Sequence, residues 1–145
     1  MKNQDFTCSI TADVTAEEAM FAISQIQDWW KKSFVGTAEK LNDEFTVRFS
    51  DESFVNFTVT DFVPNAKVVW TVTDCFLPWF ADKTEWTGTR IIFELATTGD
   101  STTINFTHQG LVPQVECYDM CVAGWTGHLT TSLQKLLAEG MGQPA

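Results

Sequence analysis

Cationic side chains are scarce in this sequence: its 145 residues include 9 Lys and Arg against 19 Asp and Glu, a formal net charge of -10. Binding to nucleic acid or an anionic bilayer depends on cations that displace counterions, so neither is an expected partner. Long apolar runs are missing too, and no segment approaches the ~20 apolar residues of a membrane helix. Residues 1–10 carry no basic stretch leading into an apolar core, so no secretory leader is expected. Cysteine is limited to 4 residues, Cys8, Cys75, Cys117 and Cys121, in no disulfide-framework spacing. In the cytoplasmic setting expected here, all of them remain free thiols. Repeats and low-complexity tracts are absent. The sequons at Asn56 and Asn105 fall inside strand patterns, where a glycan would have to leave a paired sheet.

What is abundant is aromatic surface. Hydrophobic residues make up 44% of the chain, with 12 Phe and 6 Trp. A single domain spanning residues 1–145 is expected, large enough to bury a core unaided. Each large aromatic offers roughly 150–250 Å² to bury, which suits either a thick core or a lined cavity.

The period of the pattern changes along the chain. "DFTCSITA" alternates Phe6, Cys8 and Ile10 with polar residues, as a half-buried strand does. Thr15 followed by Glu18 forms a capping box that opens a helix with Ala19, Phe21, Ala22 and Ile26 on its apolar face. Asp28 is the expected N-cap of a short second helix through "DWWKKSF". Strand patterns follow at 38–41, 44–49, 53–62, 67–73, 88–97 and 102–108, and several of the separators, "SDES", "VPNA" and "TTGD", are tight-turn formers. From Gln114 to Glu139, Val115, Tyr118, Val122, Trp125, Leu129, Leu133 and Leu136 recur by threes and fours, one apolar stripe on a long helix. The tail "EGMGQPA" reads as a plain chain end. The expected fold is α+β, in the order β-α-α-β6-α, with a curved antiparallel sheet wrapped around the terminal helix.

"DWW", "WTGTRIIFEL", "INFTHQGL" and "CVAGWTGHLTTSLQKLLAEGMGQP" together resemble the activator of heat-shock-protein-90 ATPase homologue family, of the SRPBCC or START-like superfamily. The resemblance covers nearly the whole chain and implies the helix-grip fold, also called Bet v 1-like, whose members commonly hold apolar ligands between sheet and helix. It implies no single activity. The eukaryotic co-chaperones of the family carry an additional N-terminal domain, and no counterpart of it is expected in this chain, so the resemblance implies the fold more directly than chaperone stimulation.

Candidate lining residues follow from parity. Trp70 shares a face with Val68 and Val72, Phe93 with Ile91 and Leu95, and Phe106 with Ile104 and His108. Tyr118 and Trp125 project from the helix stripe, with Cys121 and Val122 beside them, and Trp30 enters from the second helix. Alternating strand direction brings the loop after the fifth strand, "DCFLPWFADKTE" at 74–85, to the same end as "HQGLVP". Its apolar Phe76, Leu77, Trp79 and Phe80 suit a lid or a homodimer contact. His108 is either a satisfied strand-end histidine or a polar point at the mouth of a pocket, and the second is the expectation tested below.

Metal and cofactor are not expected. Cys117 and Cys121 share a helix face with His128, but His128 stands about 10 Å further along the axis, too far to share an ion with Cys121. No catalytic residue is assigned, because no nucleophile signature accompanies His108. The leading functional expectation is a site for a small, largely apolar or aromatic ligand between the sheet and the C-terminal helix. The alternatives are a chaperone-activator-like interaction surface and a cyclase- or hydrolase-like enzyme.

Overall fold

A computed structural model describes residues 5–144, so the first residues of the leader reading and the final Ala145 lie outside the description. The helix expected after Thr15 forms as α1 (Ala16–Ser24), preceded by strand β1 (Phe6–Ala12). Thr15 accepts a hydrogen bond from the Glu18 backbone N–H, and the Glu18 carboxylate accepts one from Thr15 N–H, each at 3.0 Å. Two otherwise orphaned donors are thereby satisfied.

Helix α2 is short, Ile26–Trp29, and starts three residues earlier than an Asp28 N-cap would place it. Asp28 lies inside it rather than capping it, and Gln25 precedes it without a side-chain cap. Burial decides this: Trp29 and Trp30 are both turned into the core, and the Trp29 indole N–H donates to the Ile23 carbonyl at 3.3 Å.

The strands β2 (Phe34–Gly36), β3 (Glu44–Val47), β4 (Phe54–Val63), β5 (Lys67–Phe76), β6 (Arg90–Thr98) and β7 (Ser101–Gln109) join β1 in one antiparallel sheet. Its order is β1-β7-β6-β5-β4-β3-β2, so β1 closes onto β7 and the rest is a meander. Bulges between β4 and β5, at Asn56/Phe57 and Val59/Asp61, bend the sheet. Residues 38–41 are not the strand expected there. The Asp43 carboxylate accepts from the Glu39 and Lys40 backbone N–H groups, at 2.9 and 3.2 Å, and holds the segment as a bend.

The concave face is apolar, carrying Phe45, Phe57, Trp70, Phe93 and Phe106 among other fully buried side chains. On the opposite face hydroxyl pairs such as Thr11 with Thr103 and Thr60 with Thr71 meet in exposed cross-strand hydrogen bonds. Across the concave face runs α3 (Tyr118–Gly127), a π-helical stretch (His128–Leu133) and α4 (Gln134–Glu139). This is the helix-grip arrangement. The π stretch coincides with "HLTTSL", where Thr130 donates back to the Thr126 carbonyl at 2.6 Å and the Ser132 hydroxyl donates to the Trp29 carbonyl at 2.6 Å. The tail is also more than a chain end: Gln143 N–H donates to Ser132 Oγ at 2.7 Å, and a Cβ on Gly142 would collide with the Asp28 carbonyl oxygen.

The long helix begins at Tyr118 rather than Gln114. Residues 113–117 are drawn into turns tied to the loop between β5 and β6, where Ala81 N–H donates to the Glu116 carboxylate and Cys117 N–H to that of Glu85. Among the described residues no helix is long and apolar enough to cross a membrane.

Trp125, Leu129 and Leu133 form the buried centre of the helix stripe. Leu129→Ala should therefore cost about 2–5 kcal/mol of unfolding free energy, because a rigid sheet opposite it cannot collapse into the void. Urea denaturation checks this, and a loss below ~0.5 kcal/mol would mean that the stripe does not bear on the sheet.

Candidate functional site

An open cavity of about 210 Å³ lies where the loop 77–89, the first turns of α3 and the α2–β2 connection meet. The α2 end contributes Trp30 and Lys31, and Phe49 comes from the connection between β3 and β4. The loop supplies Leu77, Trp79, Phe80 and Trp86. The long helix adds Met120, Cys121, Gly124, Trp125 and His128. Trp30 and Trp125 contact at 4.7 Å between ring centroids, and Trp86 stacks on Trp125 at 6.1 Å with an interplanar angle of 14°. The inner wall is therefore preformed aromatic surface, while Trp79 and Met120, 46% and 63% exposed, stand at the rim.

The position of this wall depends on His108, which has no solvent exposure at all. The Trp125 indole N–H donates to His108 Nδ1 at 3.1 Å, and His108 Nε2 lies 2.9 Å from Thr89 Oγ1. An indole can only donate, so Nδ1 must be the acceptor and the neutral ring carries its proton on Nε2. The Thr89 hydroxyl, having accepted from Nε2, donates in turn to the Trp86 carbonyl at 2.6 Å. Every polar atom in the chain is used in one direction. His108 thus ends a core stripe and does not border the cavity, correcting the expectation that it stands at a pocket mouth. Burial lowers its pKa to about 3.

The other candidate residues divide cleanly. Trp30, Trp79, Cys121 and Trp125 come together in the cavity wall. Trp70, Phe93 and Phe106 lie in the packed core under the sheet face, away from the opening. Tyr118 and Val122 are half-buried against that core without bordering the cavity. Leu77 and Phe80 were read from the sequence only as part of an apolar lid or homodimer contact, and Lys31, Phe49, Trp86, Met120, Gly124 and His128 were not among the candidate lining residues. For His128 a signal existed, its place on the same helix meridian as Cys121. For Lys31 the signal was its adjacency to Trp30.

Cys117 and Cys121 are joined by a disulfide, not left as free thiols, whereas Cys8 and Cys75 are free. The two cysteines face each other one turn apart, and Trp86 N–H is directed at Cys117 Sγ at 3.4 Å. Loop and helix are thereby held at the cavity floor. The loop 77–89 is not a free lid either, because Glu116 and Glu85 bind its backbone and the start of α3 together.

Electrostatically the cavity is simple. No Asp or Glu borders it, and Lys31 is its one formally charged wall residue among those described. The Lys31 ammonium sits 4.5 Å from the Phe49 ring centroid, a cation–π contact. Burial pulls the Lys31 pKa below its usual 10.5. His128 is held neutral near pH 7, its pKa lowered to about 4 by burial and then by the Lys31 charge.

Comparison with known proteins bears on this geometry. The family model described as activator of Hsp90 ATPase homolog 1-like protein matches residues 18–138. No curated protein sequence matches the chain. Among solved structures, the Aha1 dimer of Colwellia psychrerythraea superposes with a TM-score of 0.75 at 22% identity, covering 96% of this chain and 99% of that one. A protein of Staphylococcus saprophyticus gives 0.72 at 17% identity over 97% and 96% of the two chains. One from Mesorhizobium loti gives 0.71 at 17% over 91% and 96%. At these identities the likeness is one of fold.

The buried histidine carries a pH signature. Unfolded, His108 takes up a proton below about 6.5, whereas folded it does so only near 3, so the unfolded state binds more protons across that window. Stability is full above about pH 6.5 and falls as the pH drops. His108 alone should remove on the order of 2 kcal/mol between pH 7 and pH 5, with His128 adding in the same direction. Urea titrations at the two pH values, with the His108 ring followed by NMR, check this. Unchanged stability, or a ring that protonates in the native state near pH 6, would refute it.

Proposed function

We propose that this chain, which belongs to the family of activator of Hsp90 ATPase homolog 1-like proteins, binds a small, largely apolar molecule in the cavity between the loop 77–89 and the long helix. The observation that carries the reading is the wall itself: four Trp side chains, Trp30, Trp79, Trp86 and Trp125, surround space that no side chain fills. Interiors are normally close-packed, and the core beside this cavity consists of buried side chains. Unfilled aromatic surface costs stability unless a ligand covers it. The volume, about 210 Å³, exceeds the ~150 Å³ that suffices for benzene and falls short of the ~300 Å³ usual for drug-sized ligands. The fitting occupant is a ring system or chain of about ten non-hydrogen atoms.

A second reading has support in the rim. Trp79 and Met120 are exposed at the opening and Phe76 is exposed at the end of β5, and such residues suit contact with another protein or a second copy of this chain. A homodimer through residues 74–85 would cover them.

Gly124 separates the two readings. It borders the cavity, and a Cβ built there meets nothing within 4 Å. Gly124→Leu should fill the opening without clash and, by helix propensity, without loss of stability. Calorimetry with the neutral 2-naphthylmethanol should show binding to the wild type and at least a tenfold loss in Gly124→Leu, with a smaller loss in Trp79→Ala. Equal binding by the wild type and Gly124→Leu would move the probe out of the cavity. No binding to the wild type, with self-association that Trp79→Ala abolishes, would favour the surface reading.

A further inference from the structure

Resting on the cavity reading above, we infer that the ligand is a monocarboxylic acid whose apolar body lies against the tryptophans and whose carboxylate meets the Lys31 ammonium, with His128 as its hydrogen-bonding neighbour. The argument starts from charge. Acidic residues outnumber basic ones by 19 to 9 in the whole chain, yet the cavity wall inverts that ratio, with one cation and no carboxylate among the described residues. Lys31 is in neither of the ion pairs found there, which join Lys40 to Asp43 and Lys67 to Asp61.

A half-buried ammonium without a carboxylate partner is undersolvated, and its contact with the Phe49 ring replaces only part of the lost hydration. The lowered pKa of Lys31 reflects the same deficit. A ligand carboxylate supplies the missing counter-charge at the point where the apolar wall meets solvent. His128, neutral at physiological pH, can donate one hydrogen bond to that carboxylate without adding charge.

The protein's negative field opposes an anionic ligand at long range, but charges more than about 8 Å away are largely screened at physiological salt. Acidic groups on the adjoining loop and turn are engaged in local hydrogen bonds. Glu116 accepts from the Ala81 and Asp82 backbone and Glu85 from Cys117 N–H. Asp119 is exposed on the first turn of α3 and does not border the cavity.

A matched pair of probes tests the inference: 2-naphthoate and 2-naphthylmethanol share one ring system and differ in charge. Calorimetry on the intact protein at pH 7 should give at least tenfold tighter binding of the acid, about 1.4 kcal/mol. Lys31→Met should bring the ratio of acid to alcohol affinity, measured within the variant, close to one, and Lys31→Arg should keep the preference. Equal affinities in the wild type, or a preference that survives in folded Lys31→Met, would overturn the inference and leave the apolar cavity standing. Failure of both probes to bind the wild type would overturn the cavity reading with it.

Discussion

Between the long helix and the sheet, a single file of hydrogen bonds crosses an otherwise apolar interior, from the Trp125 indole to His108, from His108 to the Thr89 hydroxyl and from Thr89 to the Trp86 carbonyl. Each group satisfies the next, and any break would leave a buried donor or acceptor unpaired at a cost of about 1–3 kcal/mol. The file joins helix α3, strand β7 and the loop 77–89, which have little else in common by sequence. Its geometry also constrains the backbone nearby. Gly110 has φ +104°, and a Cβ there would stand 2.7 Å from Thr89 Cγ2, so the turn after β7 closes against Thr89 only as glycine.

The cavity is a consequence of that constraint. With Trp86 and Trp125 fixed by the file, and Trp30 fixed by its packing against Trp70 and Phe57, three rings hold one wall rigid. Glu85 and Glu116 then anchor the loop backbone, and the Cys117–Cys121 bond ties the first turn of α3. No element is left free to collapse inward and fill the space. Preorganisation of this kind lowers the ordering cost of binding, so a modest apolar contact area can yield useful affinity.

Much of the scaffold was legible in the sequence because its causes are local. The capping box at Thr15 and Glu18, the alternation in β6 and β7 and the helix stripe through Leu129 and Leu133 each arise within a few residues. What escaped depends on partners far along the chain. Asp43 bends residues 38–41 through a carboxylate whose backbone partners the local pattern does not reveal, and Glu116 delays the helix start by binding a loop 35 residues earlier. His108 shows the boundary clearly. Its parity with Ile104 and Phe106 is a local fact and holds, but its role follows from Trp125 and Thr89, 17 and 19 residues away. For the site, Trp30, Trp79 and Trp125 stood among the candidates read from the sequence and Trp86 did not; Lys31 and His128 were missed because charge beside an apolar wall is seen only once the wall is assembled.

The tryptophans also show that two kinds of specification coexist here. Trp29, Trp86 and Trp125 are each oriented by an indole N–H with a named acceptor, the Ile23 carbonyl, Cys117 Sγ and His108 Nδ1. Trp70 Nε1, equally buried, has no hydrogen-bond partner among the described residues. Its ring is set instead by the surrounding Trp30, Phe45, Phe57 and Phe93, at centroid distances of 4.9 to 6.3 Å. Aromatic pairs contribute about 0.5–1.5 kcal/mol each beyond area burial, so four contacts offset one unpaired N–H. Directional bonds are therefore concentrated in the tryptophans that hold α2, the loop and α3 in register, and shape alone suffices at the sheet. The polar file can be placed beside the opening without a polar core behind it, and the cavity remains apolar except at Lys31 and His128.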